Sequence, residues 1–171
     1  MNTDIAYAQI ESPAGPVWIA TTRVGICAVG LGAGQPEAFF AHLARHAGSE
    51  PPRQDPTALT SALTQLREYF SRIRREFDLP LDVHGTAFQE AVWAEIARIP
   101  YGVTATYGEI ARRIDRPGAA RAVGAAVGAN QLPIFIPCHR VIGAGGSLTG
   151  YGGGLEIKVA LLRLEGIQAV S

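Results

Sequence analysis

Ile134-Phe135-Ile136-Pro137-Cys138-His139-Arg140-Val141-Ile142 sets a cysteine between a proline and a His-Arg pair, inside two apolar runs that read as strand or buried extended chain. A free thiol titrates near pH 8.5, so a cysteine that acts as a nucleophile needs help to lose its proton. His139 and Arg140 are candidate helpers, although sequence neighbours seldom face each other. An imidazole reaching the sulfur through a water, with a carboxylate on its other nitrogen, would complete a Cys-His-acid relay. The bland alternative is a buried, inert thiol, the usual fate of cysteine. Cys27, in an apolar run, reads as that inert kind.

Downstream, Gly143-Ala144-Gly145-Gly146-Ser147-Leu148-Thr149-Gly150-Tyr151-Gly152-Gly153-Gly154 holds seven glycines in twelve residues. Leu148 and Tyr151 argue for an ordered loop beside something flat rather than a flexible linker. The Gly-x-x-x-x-Gly-Lys pattern of a phosphate loop is absent. Leu155–Glu165 reads as a closing helix ended by Gly166. Glu165 lies where the helix dipole disfavours an acid, so it is either simply exposed or held by a partner such as His139.

Upstream, Thr86-Ala87-Phe88-Gln89 and Thr106-Tyr107-Gly108-Glu109 both have the form of a capping box. The first opens a helix with Phe88, Val92, Trp93, Ile96 and Ile99 on one face, ending at Pro100. The second opens a short helix ending near Asp115. Arg116-Pro117-Gly118 then leads into a third helix, Ala119–Ala129, and the tight junction reads as a helix-turn-helix. A helix that reads bases in the major groove carries long polar side chains. This one carries only Arg121 among Ala, Gly and Val. It suits either close approach to a minor groove, with Arg121 projecting into the duplex, or packing inside the protein.

The first half has a different texture. Ile5–Ile10, Val17–Thr22 and Ile26–Leu31 read as strands, the first two joined through Pro13-Ala14-Gly15-Pro16. Pro36–His46 and Thr57–Arg74 read as helices, the second with Leu59, Leu63, Leu66, Tyr69, Phe70 and Ile73 on one face. Phe77–Val83 alternates as one more strand. The expected class is α/β (α+β), with an N-terminal antiparallel-sheet domain over residues 1–83 and a mostly helical domain over residues 84–171.

The whole chain has 171 residues and carries 15 basic and 15 acidic residues, a formal net charge of zero. This excludes a histone-like basic tail and an acidic tail. The charge is not even: residues 1–83 hold 7 basic and 9 acidic residues, while 98–140 hold six Arg against Glu109 and Asp115, a balance of +4. Lys158 is the single lysine, which compositional bias explains as well as function does. Two cysteines are too few for a disulfide framework or a cysteine-rich zinc site. The opening residues carry no signal-peptide pattern and the longest apolar run is too short for a membrane span, so a reduced cytoplasmic protein is expected.

Ala119-Ala120-Arg121-Ala122-Val123-Gly124, Asn130, Ile136-Pro137-Cys138-His139-Arg140-Val141 and Leu148-x-Gly150-Tyr151-x-Gly153-Gly154 together strongly resemble the O6-alkylguanine-DNA alkyltransferases. The resemblance covers roughly Phe88–Gly166, and Pro-Cys-His-Arg-Val is highly specific. It implies a ribonuclease-H-like N-terminal domain, and suicidal repair of O6-alkylguanine, and perhaps O4-alkylthymine, in double-stranded DNA. No cofactor or metal is implied. Cys138 resembles the alkyl acceptor, His139 the proton acceptor acting through water, Glu165 the acid orienting it, and Tyr107 the tyrosine at guanine N3 and the 3′ phosphate. Arg121 resembles the arginine finger that replaces the flipped nucleotide, on a helix whose Ala119, Ala120, Ala122 and Gly124 would lie against DNA. Asn130 resembles the hinge asparagine. Pro133, Val141, Tyr151 and Gly152 would line the base pocket.

The chain departs from the family pattern in two places. Gln131 stands where proline commonly follows the hinge asparagine, and Gly152 where serine is common, leaving only a backbone role there. Rival readings are a lesion-binding relative without the acceptor cysteine, a helix-turn-helix regulator, a cysteine hydrolase and an alkylation-sensing activator. Cys138, the lack of base-reading side chains, the DNA-directed motifs and the missing metal cysteines count against them in turn. The expected state is a monomer, with cooperative assembly on DNA left open.

Overall fold

The computed structural model describes residues 4–34 and 36–168. The chain divides into two compact units between Val83 and His84.

The first unit is built on a four-stranded sheet: β1 (Ala6–Ser12), β2 (Gly15–Thr21), β3 (Ile26–Leu31) and β4 (Arg53–Gln54), in the order β3-β2-β1-β4. β1, β2 and β3 pair antiparallel, while the short edge strand β4 runs parallel to β1. The β1–β2 turn closes because Ser12 Oγ donates to Gly15 O and accepts from Ala14 N. Gly15 sits at φ +93°, a conformation that costs glycine little.

Helix α1 (Pro36–His46) buries Phe39 and Leu43 against Ile5, Ala20 and Ala28, with Tyr7, Trp18 and Phe40 packed around them. Neighbouring β1 residues alternate faces, so Ala6, Ala8 and Ile10 lie on the other side. There β1 meets the 3-10 turn Thr57–Leu59 and helix α2 (Thr60–Phe70), whose Leu66 and Tyr69 are fully buried.

Two expectations fail here. The helix stops at Phe70 instead of running to Arg74, because Arg72 adopts φ +61°. Its N–H closes on Tyr69 O, and that of Ile73 on Glu68 O. Ile73 is consequently left 76% exposed rather than on the core face. Residues 77–83 are not a strand either. Pro80 has no N–H to donate to a ladder, and only one bridge forms, Leu81 to Ile26. The segment is held instead by Ile26 N to Pro80 O, Asp82 N to Ile26 O, and the amide of buried Gln65, which bonds both backbone groups of Asp78. Gly25 permits this approach, since a Cβ there would lie 2.3 Å from Pro80 O.

The second unit is mostly helical. α3 (Ala87–Ala97) and α4 (Tyr107–Arg113) each begin at a formed capping box, Thr86/Gln89 and Thr106/Glu109. α5 (Ala120–Gly128) packs on both, and Trp93 Nε1 donates to Ala126 O at 2.8 Å across the α3–α5 seam. α4 and α5 form the expected helix-turn-helix, with the junction turned by Asp115 at φ +58°. A two-residue parallel ladder joins β5 (Ala105–Thr106) to β6 (Val141–Ile142), and α6 (Leu155–Leu164) closes the unit. Among the described residues, no helix is long and apolar enough to cross a membrane. No group of three or more His, Cys, Asp or Glu residues there is placed to hold a metal ion.

Candidate active site

Cys138 lies at the head of a 3-10 turn, Cys138–Arg140, between runs expected to be strand or buried extended chain; the downstream run opens as β6, and the upstream one is buried without forming a named strand. The chain enters it bent: Cys138 N reaches back to Ile136 O at 2.7 Å around Pro137. Ile134, two residues earlier, is buried with φ +76°, a region β-branched residues avoid. Asn130 braces this segment at both ends. Its Nδ2 donates to Ile136 O and its Oδ1 accepts from Leu132 N, both at 2.9 Å. Gln131, where the resemblance would put a proline, is exposed and donates to Ala129 O.

The three-residue turn separates its side chains. Cys138 is 4% exposed, and His139 is wholly buried behind it. His139 Nε2 meets Glu165 Oε1 at 2.7 Å, so the two alternatives for Glu165 resolve into a buried partner of His139. Among the described residues, His139 Nδ1 is buried without a hydrogen-bond partner. Burial pulls the His139 imidazole below its ordinary range, and the Glu165 contact acts against that. Burial also pushes the Cys138 thiol up. Hydrogen bonds from Asn130 and Tyr151, and the charge of Lys158, pull it back. Burial thus favours the neutral form of both the Cys138 thiol and the His139 imidazole.

Two residues make contacts that the sequence reading did not foresee. Arg140, a candidate helper of the thiol by sequence, is spent on a carboxylate. It grips Glu165 with Nε to Oε2 and Nη2 to Oε1, each 2.9 Å, while Nη1 donates to Ile99 O. Gly102 N adds a further bond to Glu165 Oε2. Glu165 is thus a buried carboxylate that is fully partnered, as a buried charge requires. Glu165 caps α6, and the turn after it closes through Gly166 at φ +83°. The second is Lys158, fully buried on α6, which donates to Val141 O and Thr149 O.

The remaining predicted residues fall into two sets. Val141 is buried next to the turn, and Pro133 and Tyr151 are half-buried. Gly152 is exposed, with open space where a side chain would be. Tyr107 opens α4 and meets the loop, its phenol oxygen 3.3 Å from Thr149 Oγ1. On α5, Val123, Ala126 and Val127 face inward, while Ala120, Arg121 and Ala122 are exposed. Ala119 is the half-buried cap residue. Gly124 turns toward Tyr107, whose ring lies 3.9 Å from where its Cβ would be. The outer face of the helix is therefore small and smooth, with one long cation on it.

Comparison with known proteins agrees across both units. The family model for the DNA binding domain of 6-O-methylguanine DNA methyltransferase matches residues 87–167, and that for its ribonuclease-like domain matches residues 5–83. A methylated-DNA–protein-cysteine methyltransferase of Mycobacterium bovis is 47% identical over 165 residues, covering 94% of this chain and 92% of that protein. The inducible one of Bacillus subtilis is 43% identical over 148 residues, 86% and 83% of the two chains. The crystal structure of Mycobacterium tuberculosis OGT in complex with DNA superposes with a TM-score of 0.81 at 45% identity, over 94% of this chain and 92% of that one. With both units matched and most of its length shared with curated relatives, the chain belongs to the methylated-DNA–protein-cysteine methyltransferases, the 6-O-methylguanine DNA methyltransferase family.

Proposed function

We propose that this chain repairs DNA by moving the alkyl group of O6-alkylguanine from duplex DNA to Cys138, once per molecule. The observation that carries the reading is the buried line from Arg140 through Glu165 to His139, ending in an unpartnered Nδ1 on the residue next to a buried thiol. In the proposed reaction His139 takes the thiol proton through a water. The sulfur then attacks the alkyl carbon, forming S–C as C–O6 breaks. The guanine anion that leaves is protonated at N3 by Tyr107. A thioether is a poor leaving group, so the product stays on the protein.

A guanine in a stacked duplex cannot present O6 to a sulfur recessed in a protein, so the nucleotide has to leave the stack. The smooth outer face of α5 suits a widened minor groove, and Arg121 has the reach to fill the gap. The local excess of arginine supplies sequence-independent affinity, which suits search for lesions in any context. O4-alkylthymine offers a similar carbon to the sulfur and is the second substrate to try. The acting species is a monomer in the cytoplasm, with cooperative assembly on DNA as the variation to look for.

The test is intact-protein and peptide mass spectrometry after mixing with a stoichiometric O6-methylguanine duplex. One added methyl on the Cys138 peptide, saturating at one per chain, is expected. A lesion that stays bound with no mass transferred would make this a sensing protein, and repeated turnover would make it a hydrolase.

A further inference from the structure

The short segment from Ile99 to Gly102 meets Arg140, Glu165 and the residue before Glu165. Arg140 Nη1 donates to Ile99 O at 2.6 Å. The same guanidinium lies over the Tyr101 ring, 5.9 Å from its centroid, within the reach at which an aromatic face attracts a cation. The Tyr101 hydroxyl donates to Leu164 O at 3.1 Å, and Gly102 N donates to Glu165 Oε2 at 3.2 Å. The segment is itself a closed turn. Val103 N reaches back to Pro100 O, and Gly102 takes φ +77° where a turn of this kind demands a left-handed residue. A Cβ on Gly102 would stand 3.3 Å from Glu165 O, so glycine also permits the close approach.

Each contact falls on part of the support of the Glu165 carboxylate. Leu164 is the last residue of α6, and the carbonyls of a final helical turn have no partner within the helix. Tyr101 gives one to the carbonyl directly before Glu165. Its ring backs the guanidinium that grips both carboxylate oxygens. Tyr101 thus joins the helix end to the guanidinium, and between them these hold the carboxylate. A carboxylate only accepts, so His139 donates from Nε2 to Glu165 Oε1 and keeps its lone pair on Nδ1. Which imidazole nitrogen holds the proton is therefore set by where Glu165 is held.

We propose that Tyr101 is a positioning residue of the transfer site: its hydroxyl fixes the end of α6, its ring backs Arg140, and together they aim Glu165 at His139 Nε2. This rests on His139 being the base that takes the Cys138 proton. A tyrosine that merely anchored the helix would affect stability and leave the imidazole unchanged. Tyr101→Phe removes the hydroxyl and keeps the ring, while Tyr101→Leu removes both. Each full-length protein, isotopically labelled at its four histidines, is measured in three ways. These are its thermal unfolding transition, the His139 ring signals in long-range proton–nitrogen spectra, and single-turnover methyl uptake from an O6-methylguanine duplex.

Wild type is expected to show a slowly exchanging Nε2–H on His139. In Tyr101→Leu that signal is expected to be lost to exchange with water, and methyl uptake to slow about tenfold, because a misdirected carboxylate leaves the lone pair unaimed. Tyr101→Phe is expected to fall between, with a weakened signal and uptake about threefold slower. A folded Tyr101→Leu protein with the wild-type rate overturns the proposal, as does slower uptake with the wild-type His139 signals intact. Should Tyr101→Leu not fold, Tyr101→Phe decides: a weakened Nε2–H signal supports the proposal and an unmoved one overturns it. Wild-type protein that takes up no methyl defeats the reading of His139 as the base of an alkyl acceptor instead, while the imidazole signals still report whether Tyr101 aims Glu165.

Discussion

Glu165 receives Arg140 through two bonds, the imidazole of His139, and the amide of Gly102. Replacing it with Gln leaves a guanidinium buried without its counter-ion, the case in which breaking a buried pair is most destabilising. Glu165→Gln is expected to cost about 3–5 kcal/mol in urea unfolding and to slow methyl uptake as well. By contrast, Arg121 is exposed. Arg121→Ala should leave the unfolding midpoint within about 0.5 kcal/mol of wild type. It should slow repair of a lesion in duplex DNA far more than reaction with a free O6-substituted guanine base. Equal losses in the two reactions would remove Arg121 from its proposed place in the duplex. Cys138, His139 and Glu165 were legible because local motif and family pattern name them. The grip of Arg140 on Glu165 was not, since residues 25 apart in sequence meet only through the turn and the end of α6. Lys158 was set aside as compositional bias, and its two partners are backbone atoms that no residue type advertises.

The elements that could be read from sequence are those whose ends are written in side chains. The Thr86 and Thr106 caps form as their Thr-x-x-Gln and Thr-x-x-Glu spacings require. Thr86→Ala and Thr106→Ala should each cost about 1 kcal/mol. Only the second should also slow methyl uptake by the folded protein, because Tyr107 begins the helix it caps. The end of α2 was misread because an arginine, not a glycine, takes the left-handed position there, and apolar spacing continues past it to Ile73. On α1, His42 lies against His46, with ring centroids 4.3 Å apart. Partial burial, then the charges of His46 and Arg45, lower its pKa from 6.5 to about 4. The unfolded chain then binds the proton first, so stability is lost as pH falls from about 6.5 toward about 4. His42→Gln should flatten that part of the urea-midpoint profile while leaving the plateau at neutral pH in place.

At the scale of the molecule, opposite charge balances in the two halves, −2 and +2, hide behind a net charge of zero. Nucleic-acid affinity is set by where the arginines lie, not by the total. Binding to undamaged duplex is expected to weaken linearly in log–log plots against salt. The two cysteines are likewise unequal. Burial, with the nearby charge of Asp82, pushes Cys27 up to about 12, so it stays protonated at neutral pH. Exhaustive exposure to an O6-methylguanine duplex should methylate the Cys138 peptide and leave the Cys27 peptide unchanged.

Ile134 bears on the history of the chain. Its backbone stays at φ +76° only while its buried side chain has a core to enter. Until that core exists the segment before Cys138 has no reason to bend, and a nascent or refolding chain displays the sulfur as an ordinary thiol. Chemical competence is then acquired last. In a refolding time course, pulses of iodoacetamide should label Cys138 freely at first, and acceptance of methyl from DNA should emerge only as the global fold is completed.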